Sequence, residues 1–171
     1  MHSTIEEELQ KKLQDFSKKL PHFKDGRIDY THAETSPAVL CFVMHQGRLL
    51  LVKRSDKVLA DGGKWYGIGG FLDDPQKSLM QKIHEELNEE LGVQEKDIER
   101  IYTGKFLRVD DPFLKRTWEL YLALVELKIE PAIRLDWEHT EYRWILPDEL
   151  PSYDTVPGLS KAFAEAQKMK K

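Results

Sequence analysis

An α/β fold is what this sequence predicts, and three observations predict it. Apolar stripes with helical period stand at the start, in the middle and at the end of the chain. Apolar, β-prone runs of strand length fill the intervals between them. The chain has 171 residues, 40% hydrophobic and 33% charged, enough to bury one core and too few to form a second independent domain.

Taken in order, Ile5, Leu9, Leu13, Phe16 and Leu20 recur at three- and four-residue spacings, which is one face of a helix. Ser3 or Thr4 is placed to cap it and Pro21 to end it. Residues 1–24 are therefore assigned to an amphipathic helix docked on a domain formed by residues 25–171; a homodimer contact is the other use such a stripe can have. Ala38 to Met44 and Arg48 to Val52 read as a hairpin closed by His45-Gln46-Gly47, and Asp61-Gly62-Gly63 as a turn. The run from Trp65 to Leu72 carries Gly69-Gly70, where a sharp backbone bend is expected.

From Ser78, placed to act as N-cap, to Leu91 the pattern turns helical, with Met80, Ile83, Leu87 and Leu91 on one side and Gly92 as the C-terminal stop. Ile98 to Val109 and Trp118 to Leu127 are strand-like, broken by Asp110-Asp111-Pro112. A short strand follows around Tyr142 to Ile145, then a helix from about Ser160 whose apolar side is Ala162, Phe163 and Ala166. Trp118, Trp137 and Trp144 are taken as core residues.

Composition narrows the function. The single cysteine, Cys41, lies in an apolar run, so neither an intrachain disulfide nor a thiolate metal site can form, and it reads as a core residue. The polar, acidic start lacks the basic and apolar regions of a signal peptide, so a reducing, cytoplasmic setting is expected. No apolar run reaches membrane-spanning length. The net charge of −4 gives no broad basic field, which disfavours large nucleic acids and anionic membranes as partners. A small phosphorylated substrate stays compatible with that charge, because a bound divalent cation inverts the local field.

The informative segment is Gly70 to Val93. At about 100° per residue, Glu86, Glu89 and Glu90 fall on one edge of the helix beside the apolar stripe. Like charges at these spacings oppose helix formation unless a cation neutralises them, and an all-oxygen set suits Mg²⁺ or Mn²⁺. The plainer alternative is a solvated acidic face partly offset by Lys82, four residues before Glu86.

The run Glu86-Leu87-Asn88-Glu89-Glu90-Leu91-Gly92-Val93, preceded by Gly69-Gly70, resembles the Nudix box. Tyr142-Arg143-Trp144-Ile145 before Asp148-Glu149-Leu150 resembles the late strand and helix start common in that superfamily. The resemblance implies an α/β/α sandwich with a mixed β-sheet, here with an extra N-terminal helix. It also implies metal-dependent cleavage of a diphosphate linkage in a nucleoside-diphosphate-linked substrate. Glu86, Glu89 and Glu90 would be the metal ligands, and Glu89, Glu90 or a late-loop carboxylate, Glu138 or Glu141, the base.

Three departures stand out. Glu85 replaces the usual Arg, Lys77 stands where the upstream Glu belongs, and the loop from Gly70 is one residue longer. Lys77 and Glu85 keep the separation of the usual pair with the signs exchanged, so an ion pair of reversed polarity is expected. On the substrate side, Lys53 and Arg54 are candidates for phosphate, one of Trp65, Tyr66 and Phe71 for stacking on a planar group, with core packing the alternative, Gly70 for close backbone approach, and His139 for phosphate contact or proton transfer. The degenerate box keeps a catalytically silent nucleotide-binding or regulatory module as the alternative. An isopentenyl-diphosphate isomerase-like enzyme is the minor one, since it would need a catalytic cysteine where Cys41 sits in a core-like strand.

Overall fold

The computed structural model describes residues 4–58 and 60–170; of the two capping candidates, Ser3 lies outside the described residues, while the Thr4 hydroxyl accepts the Glu7 N–H and opens helix α1, Ile5–Lys19. The strands are β1 Thr35–His45, β2 Arg48–Arg54, β3 Trp65–Tyr66, β4 Ile68–Phe71, β5 Ile98–Asp111, β6 Arg116–Leu127 and β7 His139–Ile145, with helices α2 Leu79–Leu91 and α3 Leu159–Gln167. They form one mixed sheet ordered β3-β2-β1-β6-β5, with β4 paired to β1 and β7 to β2. The β1–β6 pairing is parallel over ten residue pairs, Thr35 with Thr117 through Met44 with Glu126; the other pairings are antiparallel.

Strand alternation divides the core in two. Odd positions of β1 (Val39, Cys41, Val43) and even positions of β2 (Leu50, Val52) pack against α2 through Ile83, Leu87 and Leu91, and α1 adds Leu9 and Leu13 to the same cluster. The opposite set (Leu40, Phe42, Leu49, Leu51) packs with Trp65 against Leu159, Ala162, Phe163 and Ala166 of α3. Helices therefore cover both faces, the α/β/α sandwich expected from the sequence.

Several local expectations need correction. Gly69 and Gly70 do not turn the chain: both lie within β4, opposite Leu40 and Val39 of β1. Glycine is required there by close approach, since a Cβ at Gly69 would meet the Val39 carbonyl oxygen and one at Gly70 would sit 2.5 Å from Glu86 Oε1. The β1–β2 hairpin pairs only at its tip, Met44 with Leu49 and His45 with Arg48, because β4 takes over the inner half of β1. The break between β5 and β6 falls after Asp111, and β7 begins at His139, three residues earlier than its apolar residues indicate. Met80 is exposed, and Leu79 takes its place in the buried stripe of α2. Trp137 is 63% exposed, and Trp118 and Trp144 are half-buried rather than core.

Candidate active site on helix α2

Helix α2 is delimited as its sequence dictates. The Ser78 hydroxyl accepts from the Gln81 N–H while the Gln81 side chain accepts from the Ser78 N–H, a capping box, and Gly92 ends the helix in the left-handed region at φ 75°. Ile83, Leu87 and Leu91 fix the helix rotation by packing on the sheet, and that rotation carries Lys82, Glu86 and Glu90 inward. Glu89 is left exposed at the helix edge.

Glu90 is only 2% exposed, and its Oε2 accepts the Gly69 N–H at 3.2 Å, tying the helix to β4. One ligating oxygen from each of Glu90, Asp136 and Glu138 lies within 4.8 Å of the others, a group with metal-ligand spacing. Burial pushes the Glu90 carboxyl well above the ordinary range, reinforced by Glu86, Glu138 and Asp136. Burial also raises Glu138, with Asp136 adding to it. The crowding of Glu90 and Glu138 with Asp136 sets like charges against one another at close range. These groups are thus short of positive charge, which is the condition a divalent cation relieves.

Glu86 stands beside them but is engaged differently. Its Oε1 receives Lys82 Nζ at 3.0 Å, and burial still lifts its carboxyl to about 7 against the pull of that ammonium. The reversed ion pair also forms, Lys77 Nζ to Glu85 Oε2 at 2.6 Å. Lys82 reaches Glu85 Oε1 at 3.5 Å as well, so Glu85 lies between two lysines.

The late loop contributes what the helix pattern could not show. Asp136 is not foreshadowed by any periodicity, and the only signal for it is its proximity in sequence to Glu138. The His139 side chain is 2% exposed and contacts Asp136 Oδ1 through Nδ1 at 3.2 Å. Since a carboxylate only accepts, Nδ1 carries the hydrogen, and burial lowers the imidazole pKa so that the ring is neutral. The structure thus buries His139 against Asp136.

The remaining candidates separate by sheet face. Arg54 follows Val52 on the α2 side, where its Nε donates to the Ala60 carbonyl at 3.0 Å and its guanidinium lies 5.7 Å from the Tyr66 ring centroid. Lys53, Trp65 and Glu141 lie on the α3 side with Arg143, around an open hollow of about 520 Å³. There Glu141 pairs with Lys53 at 3.5 Å, away from the carboxylate group of α2. Phe71 stacks on Tyr30 with centroids 5.7 Å apart and tilts against Trp118 at 5.4 Å. Cys41 is fully buried in β1 and burial raises its thiol pKa well above the ordinary value, so no reactive cysteine faces this site.

A family model for the NUDIX domain matches residues 34–166, which spans β1 through α3 and includes every carboxylate just described. The chain belongs to the Nudix family. Membership carries the coarse activity of that family, hydrolysis of a pyrophosphate linkage, an acid anhydride. Among solved structures, a MutT protein from Methanosarcina mazei Go1 is 21% identical over 82% of this chain and 98% of its own, with a TM-score of 0.62. The NUDIX domain of Shewanella oneidensis NrtR, in a complex with ADP ribose, is 16% identical over 80% and 89%, with a TM-score of 0.66. A C. elegans Ap4A hydrolase in a binary complex is 13% identical over 79% and 93%, with a TM-score of 0.58. At these identities the Nudix structures establish a shared fold. No curated protein matches the chain.

Proposed function

We propose that this Nudix chain is a metal-dependent hydrolase that cleaves the diphosphate linkage of a small nucleoside-diphosphate-linked substrate. The observation that carries the reading is the Glu90, Asp136 and Glu138 group, with oxygens within 4.8 Å of one another and Glu90 almost wholly buried. Buried carboxylates without a cation are costly, and hard oxygen donors at this spacing fit Mg²⁺ or Mn²⁺. Glu90 and Asp136 would hold the ion, with Glu89 at the exposed rim. When bound, such an ion polarises the diphosphate and acidifies water.

The chain's own residues do the rest. Glu138, half-buried, beside Glu90 and with its pKa raised by burial, accepts the proton of the attacking water. His139 fixes the Asp136 carboxylate through its Nδ1–H. Arg54, on the same face as these carboxylates, offers its Nη nitrogens to a phosphate oxygen. Glu141 and Lys53 pair with each other on the other face and take no part in proton transfer.

The deciding experiment is a screen of dinucleoside polyphosphates, nucleotide sugars, ADP-ribose and nucleoside triphosphates with Mg²⁺ or Mn²⁺, scoring phosphate or nucleoside monophosphate release. At least one compound should be turned over, and Glu138→Gln should lower that turnover on the order of 10²- to 10⁴-fold. Binding without turnover across the panel would transfer the chain to the silent, ligand-binding class.

A further inference from the structure

Lys82 is the unusual component of the site. It is a lysine on the inward face of the helix that carries the acidic groups, and its side chain is 11% exposed. Its ammonium sits among three carboxylates, 3.0 Å from Glu86 Oε1, 3.5 Å from Glu85 Oε1 and 3.9 Å from Asp73 Oδ1. Lysines are almost never buried this far unless they are paired. Lys82, Glu86 and Glu90 follow one another at four-residue intervals, so Glu86 stands between the ammonium on one side and the Glu90, Asp136 and Glu138 group on the other. The Glu86 oxygen that receives Lys82 is also the one against Gly70, so the missing Cβ of Gly70 is what lets the carboxylate take that position.

We infer that Lys82 is a resident cation, occupying at Glu86 the place a second metal ion would take, so that the free protein binds one divalent ion, on the Glu90 side of Glu86. The inference rests on the metal-dependent reading above. The physical reason is charge balance. Glu86, Glu90, Asp136 and Glu138 offer four carboxylates; an ammonium within hydrogen-bonding distance removes Glu86 as a donor and repels a second dication from the same space. Lys82 thereby acts as a positioning residue, fixing both the Glu86 side chain and the number of metal ions.

The test is Mn²⁺ binding to the full chain without substrate, followed by electron paramagnetic resonance of free Mn²⁺ and by titration calorimetry. Wild type and Lys82→Arg should each take up a single ion. Lys82→Met and Lys82→Gln should take up a second ion, or bind the first about tenfold more tightly or better, because a unit positive charge has left a buried carboxylate site. Lys82→Gln retains a hydrogen-bonding side chain of similar length in case the Met variant does not fold. In the wild-type background Glu86→Gln should leave the single ion's affinity within about threefold, whereas a ligand glutamate would cost far more. Two ions in wild type, or unchanged stoichiometry and affinity in both neutral variants, would overturn the assignment of Lys82 while leaving the hydrolase reading in place. Absence of Mn²⁺ binding from wild type and variants alike would remove both.

Discussion

Adjacent glycines in β4 do different work, and single methyl groups separate them. At Gly69 an added Cβ meets the carbonyl oxygen of Val39, part of a paired strand that cannot move without breaking the β4–β1 ladder. Gly69→Ala should therefore cost about 1–3 kcal/mol of stability. At Gly70 the clash, at 2.5 Å, is with the end of the Glu86 side chain, which can swing away. Gly70→Ala should melt within a few degrees of wild type yet lose turnover, on the order of 10²-fold, because the carboxylate beside the reacting groups is displaced. Equal stability losses at the two positions would contradict the distinction. Titration supplies a second residue-level test. Burial raises the folded-state pKa of Glu86 from 4.5 to about 7 and pushes that of Glu90 well above 4.5. In that window the folded state binds the extra protons, so metal-free stability falls as pH rises. His139, lowered by burial, acts with the opposite sign but is common to wild type and mutant. Metal-free Glu90→Gln should thus be more stable than wild type by a margin that widens as pH rises above 4.5, and thermal melts showing a constant margin would refute the assignment.

At the scale of the element, helix α2 was legible almost entirely from its own residues, because Ser78, Gln81 and Gly92 act locally and its stripe has a simple period. Even there the spacing admits Met80 and Leu79 alike, and only contact with the sheet selects Leu79 for the buried stripe. The site was less legible. Glu90 was readable from the helix, but Asp136 lies in the irregular segment before β7 and His139 opens that strand, so their approach to α2 depends on β7 pairing with β2. The same pairing places Glu141 opposite Lys53, and which sheet face that pair occupies follows from strand register, which is not written in the local sequence. The loop before α2 shows how a departure from the family pattern can be absorbed. Lys77 and Glu85 pair at 2.6 Å with 42% and 27% side-chain exposure, so their coupling should be about 1 kcal/mol or less. Glu85→Lys also places a cation beside Lys82, now 3.5 Å from the Glu85 carboxylate. The double reversal Lys77→Glu with Glu85→Lys should accordingly melt above the Glu85→Lys single variant but below wild type. A double variant no more stable than that single would show that the pair contributes nothing.

For the molecule as a whole, the question is what α1 does, since the family match begins at residue 34 and leaves the helix outside it. Its Leu9 and Leu13 are 0% and 1% exposed in the cluster that also holds Ile83 and Leu87 of α2. Its polar residues reach the same neighbourhood: the Glu6 carboxylate accepts the Leu79 N–H at 2.9 Å, Gln10 donates to the Lys77 carbonyl at 3.0 Å, and Lys12 pairs with Glu119 of β6 at 2.7 Å. The first of these satisfies an otherwise free donor in the opening turn of α2, and a carboxylate is the group that end of a helix favours. The N-terminal helix thus braces both the packing and the entry turn of the helix that carries Glu86 and Glu90. Leu13→Ala should cost about 2–5 kcal/mol, the range for deleting buried methyl groups. Leu9 and Leu13 are consumed within the chain, and gel filtration of Leu13→Ala should show the oligomeric state of wild type. Glu6→Gln should give a smaller loss, on the order of 1 kcal/mol, by removing charge from the α2 N-terminus. A Leu13→Ala protein that melted with wild type and changed its elution volume would show the stripe to be an intermolecular contact and not part of this core.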